Sequence, residues 1–187
     1  MASELQVTTL RGNPTGANAN KILVPTGQTL HAPGHVIQVQ SVAKTNTFIT
    51  SSTSITDVTG LAVTITPKFS TSKILVRGFI NVGTTSQSFI SVFLSRGSTQ
   101  IFQGDLEGQR PRATSMSYQE QNSGVQDTQS PEFLDSPATT SAITYKFQVR
   151  VGSGGGTCSV NRSSRHSNET TYDMSTASSI TVQEIAQ

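Results

Sequence analysis

At 187 residues, with 13% charged side chains and a formal net charge of +2, the chain has the length of one domain with or without an arm, and too few charges for disorder by self-repulsion. No block of like charges offers a footprint for nucleic acid, and no apolar run approaches the ~18 residues of a membrane-spanning helix. The single cysteine, Cys158, excludes an intramolecular disulfide and a cysteine zinc site, and reads as a small buried strand residue.

Met1 to Leu10 lacks the basic region and apolar run of an export signal, so synthesis in a cytoplasm is expected. Residues 1–34 differ from the rest. Arg11 to Asn20 is polar and turn-forming, and Pro25, Gly27, Pro33 and Gly34 punctuate residues 21–34. Only Lys21 to Val24 and Gln28 to His31 have the composition of short strands. A tetrapeptide between such breakers cannot build a core by itself. The expectation is an extended N-terminal arm, with Lys21, Ile22, Leu23, Val24 and Leu30 resting on the body or on a partner.

Residues 35–187 carry strands at the spacing of a sandwich or barrel. In Val36 to Ala43, Ile37 and Val39 alternate with Gln38 and Gln40. Thr45 to Thr50 and Ser54 to Val58 follow, and then Leu61, Val63 and Ile65 alternate with Ala62, Thr64 and Thr66 until Pro67 removes a ladder donor. In the longest predicted strand Ile74, Val76, Ile80 and Val82 share a face, and Gly78 marks a bulge or a close backbone approach. Gln87 to Ser95 is apolar on both sides, which calls for cover by a second sheet and a loop or by a neighbouring subunit. Phe89 and Phe93, on its second face, are the expected oligomer contact.

Gln100 to Gln103 is followed by residues 104–129, where periodicity vanishes. So long a connection is expected to be a functional loop or an interface element. Pro131 to Leu134 leads through the turn Asp135-Ser-Pro137 into Ser141 to Val151, the clearest strand of the chain. There Ile143, Tyr145, Phe147, Val149 and Val151 alternate with Thr144, Lys146, Gln148 and Arg150, the period-two pattern of a half-buried strand. The glycine-rich turn 152–156 connects it to Thr157 to Asn161. A second polar loop, 162–173, precedes the last strand, Ser178 to Ile185, where Ile180 and Val182 face the core. The whole reads as an all-β protein, an antiparallel β-sandwich with a jelly roll as the best-fitting topology. A closed barrel and an immunoglobulin-like sandwich stay open as alternatives.

No constellation carries recognisable catalytic chemistry, so the expectation is that the protein is not an enzyme and takes no cofactor or metal. His31 and His35 have helical metal-ligand spacing, but Pro33 and Gly34 between them forbid the helix, and His166 stands far off. The glycines of 152–156 precede a strand where a phosphate loop needs a helix. Asp105 with Glu107, and Glu132 with Asp135, are the close carboxylate pairs, and both read as solvated turn residues without apolar neighbours to raise a pKa. Asn161-Arg-Ser163 and Asn168-Glu-Thr170 match the glycosylation sequon and are taken as accidental in a Ser- and Thr-rich chain. Arg110, Arg112, Arg162 and Arg165 fall in the two long loops, exposed for a partner's carboxylates or for solubility.

Four stretches together carry a family resemblance: Ile65-Thr-Pro-Lys-Phe-Ser-Thr-Ser-Lys-Ile-Leu-Val76, Val92-Phe-Leu-Ser-Arg-Gly-Ser-Thr99, Phe133-Leu-Asp-Ser-Pro-Ala138 with Thr144-Tyr145, and Ser179-Ile-Thr-Val-Gln-Glu-Ile185. In this order and spacing, over residues 36–187, the chain resembles small virion structural proteins and fibre domains of tailed phages, especially those of aquatic bacteria. Ser3 to Leu10 is similar to the N-termini of such proteins. The resemblance implies a non-enzymatic sandwich, commonly a homotrimer, made in the host cytoplasm and carried on the virion. Its implied role is that of a decoration (cement) protein on the major capsid protein shell, stabilising the head. The alternative it implies is a tail or head fibre, or a receptor-binding module, with loops 104–129 and 162–173 exposed for host recognition. It implies neither a nucleic-acid nor a membrane partner.

Overall fold

The computed structural model describes residues 7–19, 21–85, 87–119, 124–152, 156–168 and 171–187. Twelve strands are formed among them: β1 (Val36–Lys44), β2 (Phe48–Thr50), β3 (Thr56–Ile65), β4 (Lys73–Thr84), β5 (Ser88–Arg96), β6 (Thr99–Ile101), β7 (Ser115–Gln119), β8 (Asp127–Gln129), β9 (Glu132–Asp135), β10 (Ile143–Val151), β11 (Cys158–Val160) and β12 (Ser178–Ile185). They make two sheets that face each other. One runs β1-β12-β4-β11-β2 with β8 and β9 also on β4, and the other runs β3-β10-β5-β6 with β7 also on β5. Every pairing is antiparallel.

The period-two row of β10 supplies the middle of the core. Ile143, Tyr145, Phe147, Val149 and Val151 are all buried, against Leu61 and Val63 of β3, Ile90, Val92 and Leu94 of β5, and Ile74, Val76, Ile80 and Val82 of the facing β4. Ile180 and Val182 join the same core. Phe147 reaches across the sandwich to Gly78, where a Cβ would lie 2.8 Å from the Phe147 ring and 2.7 Å from the Ser179 carbonyl oxygen. The glycine within β4 thus marks a close approach. Cys158, in β11, is buried, and burial pushes its thiol pKa up to about 12.

Four readings are corrected by the structure. Thr56 to Val58 of the predicted strand Ser54 to Val58 and all of Leu61 to Ile65 belong to one strand, β3: Gly60 takes a left-handed φ of +82° beside the register shift against β10, and the chain continues through the irregularity. In β1 a shift between Val36 and Gln38 turns Val42 and Lys44 inward, leaving Val39 50% exposed. Residues 104–129, read as structureless, contain β7 and β8. The pattern of β7 is inverted: Ser117 and Gln119 are buried while Met116 and Tyr118 are exposed. These two inward side chains find partners, with Ser117 donating to Asp127 and Gln119 donating to the Val125 carbonyl (2.9 Å) and accepting from the Thr84 amide (3.4 Å). Finally, Gln148 of the supposedly wet row of β10 is buried, donating to Asp57 (2.6 Å) and accepting from Gln100 (3.2 Å).

Candidate interaction surfaces

The arm is the first surface. Its described residues form neither strand nor helix, so Lys21 to Val24 and Gln28 to His31 do not take the strands their composition allows. Lys21, Ile22, Leu23, Val24 and Leu30 are all exposed, Leu23 at 59%. Among the described residues, few hydrogen bonds and ring contacts join the arm to the body. At its root the Gly34 amide donates to the Ala186 carbonyl (2.8 Å) and the Ala186 amide donates to the His35 carbonyl (2.9 Å). Further out, the His31 ring stands edge-on to Phe69, 4.7 Å between centroids. Between arm and body lies a cleft of about 400 Å³, lined by Val24, Leu30, His35, Ile37 and Lys68 among others.

The second surface is the outer face of the β5–β7 pair. Cross-strand partners Phe89 and Tyr118 stack at 4.3 Å, and Met116 continues the row at 60% exposure. Phe93, expected beside Phe89 as an exposed oligomer contact, is only 1% exposed, whereas Phe89 is 43% exposed. The chain's own fold covers Phe93. Sequence reasoning missed Tyr118 and Met116 because the strand that presents them has no apolar inner row to announce it.

The two loops behave differently from each other. In the first, Arg110 pairs with Glu107 (2.8 Å) on the surface, Asp105 is exposed, and Arg112 is exposed with its carbonyl accepting from Gln103 (3.3 Å). In the second, Asp173 organises the described residues. It accepts from Arg165 through Nε (3.1 Å) and Nη2 (3.0 Å), from the Ser163 hydroxyl (2.8 Å), and from the Ser167 amide (3.0 Å) and hydroxyl. The Arg165 guanidinium, then the two serines, hold the Asp173 carboxyl well below the usual carboxylate range. Arg165 also lies 5.7 Å from the ring centroid of the exposed Tyr172. Arg162 is half-buried, not open, and its buried Nε has no hydrogen-bond partner among the described residues.

The carboxylates divide in a way their sequence neighbours do not announce. Glu132 is exposed and paired with Arg77 (2.5 Å). Asp135, read as a solvated turn residue, is a buried residue of β9. It takes both of its oxygens to Arg96 (2.9 Å each) and accepts from the Tyr145 hydroxyl (2.7 Å). Burial, reinforced by that carboxylate, pushes the Tyr145 phenol well above its ordinary value. Glu184 of β12 is also fully buried, accepting from Gln38 (2.6 Å) and from the amides of Lys68 (2.7 Å) and Phe69 (3.2 Å). Asp135 thus links β9 of one sheet to β5 and β10 of the other, and Glu184 ties the turn at Lys68 and Phe69 to β12.

Of the two sequons, Asn161 is buried with a φ of +63°. It donates to the carbonyls of Lys44 (2.8 Å) and Asn46 (3.1 Å) and accepts from Ser178 (2.5 Å), so its amide has no room for a glycan. Asn168 is exposed, and Glu169 and Thr170 lie outside the described residues. In the glycine-rich turn, residues 153–155 also lie outside them. At its end a Cβ on Gly156 would fall 1.8 Å from the Ser88 hydroxyl, and a strand, β11, comes next. Among the described residues no three His, Cys, Asp or Glu side chains gather as metal ligands would. Compared with protein-family models and with curated proteins, the chain gives no match.

Proposed function

We propose that the protein is a non-enzymatic structural component of a tailed-phage virion, a decoration protein that sits on the outer surface of the capsid shell through its N-terminal arm. The observation that carries this reading is the contrast between body and arm. The body closes its core and satisfies its inward carboxylates, while the arm carries Ile22, Leu23, Val24 and Leu30 uncovered on its own chain. Apolar side chains on a segment with free backbone groups suit addition to a partner's sheet edge or groove. The resemblance of the four stretches from Ile65 to Ile185 supports the choice of a virion as the setting.

The sandwich is further read as a jelly roll. The strands of four residues or more are β1, β3, β4, β5, β7, β9, β10 and β12, and in chain order they distribute 1-8-3-6 to one sheet and 2-7-4-5 to the other. That alternation is the order of two interleaved Greek keys. Fold of itself assigns no activity.

Quantitative mass spectrometry of the purified particle tests the role: hundreds of copies per particle fit decoration, and tens fit a fibre. Binding of the full chain to stripped particles tests the arm, with the combined Ile22→Lys, Leu23→Lys variant expected to lose binding while the fold is kept. The fibre or receptor-binding reading has one observation in its favour. Asp173 holds Ser163, Arg165 and Ser167 of the second loop before any partner arrives, and Tyr172 stands exposed beside Arg165.

A further inference from the structure

The long edges of the two sheets are not equally protected. Strand edges in soluble proteins are blunted by shortness, charge, proline or bulges, because a bare edge templates pairing with another chain. β2, β6 and β8 have three residues each, β9 has four and β7 has five. β3 is long, but it is broken by the left-handed Gly60 and carries the exposed Asp57. β1 has nine residues and, among the described residues, a single sheet neighbour, β12. From Val36 to Ala43 it holds no charge and no proline, and its one register shift lies at its start, between Val36 and Gln38. Val39, Gln40, Ser41 and Ala43 are exposed.

We infer that β1 is an interface between copies: β1 of one molecule pairs antiparallel with β1 of a second across a two-fold axis. The occupant must be an extended segment, because what the edge offers is a row of backbone donors and acceptors. It must also be long. The arm's apolar run, Lys21 to Val24, ends at Pro25 and would leave most of β1 bare, whereas a second β1 matches it residue for residue. Self-pairing brings no like charges together between Val36 and Ala43, and a two-fold contact needs one patch that complements itself. The inference stands apart from the virion reading, since it needs only a second copy of this chain.

Light scattering coupled to size exclusion on the full chain is expected to give twice the chain mass, or an even multiple of it. Ser41→Lys places two ammonium groups near the axis and is expected to halve the mass, with the thermal midpoint of the monomer kept. Ser41→Cys is expected to cross-link two copies under oxidation, and the buried Cys158 does not compete. A wild-type chain that runs at monomer mass at high concentration overturns the proposal. So does a mass unmoved by Ser41→Lys, or one that halves with Ile22→Lys, Leu23→Lys in the arm instead.

Discussion

Phe147 and Gly78 are the residue pair on which the two sheets close. Phe147→Ala removes a fully buried ring and is expected to cost about 3–5 kcal/mol in chemical denaturation. Gly78→Ala puts a methyl where the ring and a carbonyl already stand, and about 1–3 kcal/mol is expected from overpacking. Lys146→Ala, on the other face of β10, removes a 2.6 Å pair with the half-exposed Asp57 and should cost about 0.5 kcal/mol or less. The Asp57 carboxyl is held below its ordinary value, first by the hydrogen bond from Lys146, and Asp173 is held lower still. A carboxyl with a depressed folded-state pKa stabilises fully above its unfolded value, near 3.8, and loses that contribution as pH falls through the folded value. Stability followed from pH 7 downward should therefore fall on the acid side, and less steeply in Asp57→Asn, Asp173→Asn. An unchanged acid limb in that variant would show that neither group is held in solution.

At the scale of elements, β7 shows what happens when a strand is inside out. Ser117 and Gln119 spend their polar groups on interior partners, so Met116 and Tyr118 are free to stand on the surface with Phe89. A double-mutant cycle between Phe89→Ala and Tyr118→Ala is expected to give a coupling of about 0.5–1.5 kcal/mol, the range for a stacked aromatic pair. Coupling near zero would mean that the rings do not stack in solution. β11 makes a different point. Its cysteine is enclosed between β2 and β4 with its thiol kept neutral, so a maleimide should label Cys158 only when the chain is unfolded.

For the whole molecule, core and arm separate as contributors. The body buries its apolar rows without help from residues 7–30, whose large apolar side chains are exposed. A chain beginning at Pro33 keeps the amide of Gly34 on Ala186 and should lose less than about 1 kcal/mol in urea. It is expected to fail in binding to stripped particles while keeping the β1 contact between copies. Full particle binding by that shortened chain would move the attachment surface to the body, with the stacked Phe89 and Tyr118 as the first place to look.

The all-β class, the inward row of β10, the stop at Pro67, the close approach at Gly78 and the burial of Cys158 were legible in the sequence. Each depends on side-chain period or backbone chemistry, which neighbouring residues along the chain decide. Strand merging at Gly60, the inverted face of β7 and the inward turn of Val42 were not legible, since a bulge or a buried hydrogen bond reverses the meaning of an alternating pattern. The burial of Phe93, Asp135, Glu184 and Asn161 was equally hidden. Their partners, apart from nearer ones such as Tyr145 for Asp135 and Ser178 for Asn161, stand far away in sequence: Arg96 for Asp135, Gln38 and the turn at Lys68 for Glu184, Lys44 and Asn46 for Asn161. Which polar group is buried, and which strand edge is left bare, is settled only when the sheets assemble, because both depend on what the rest of the chain places alongside.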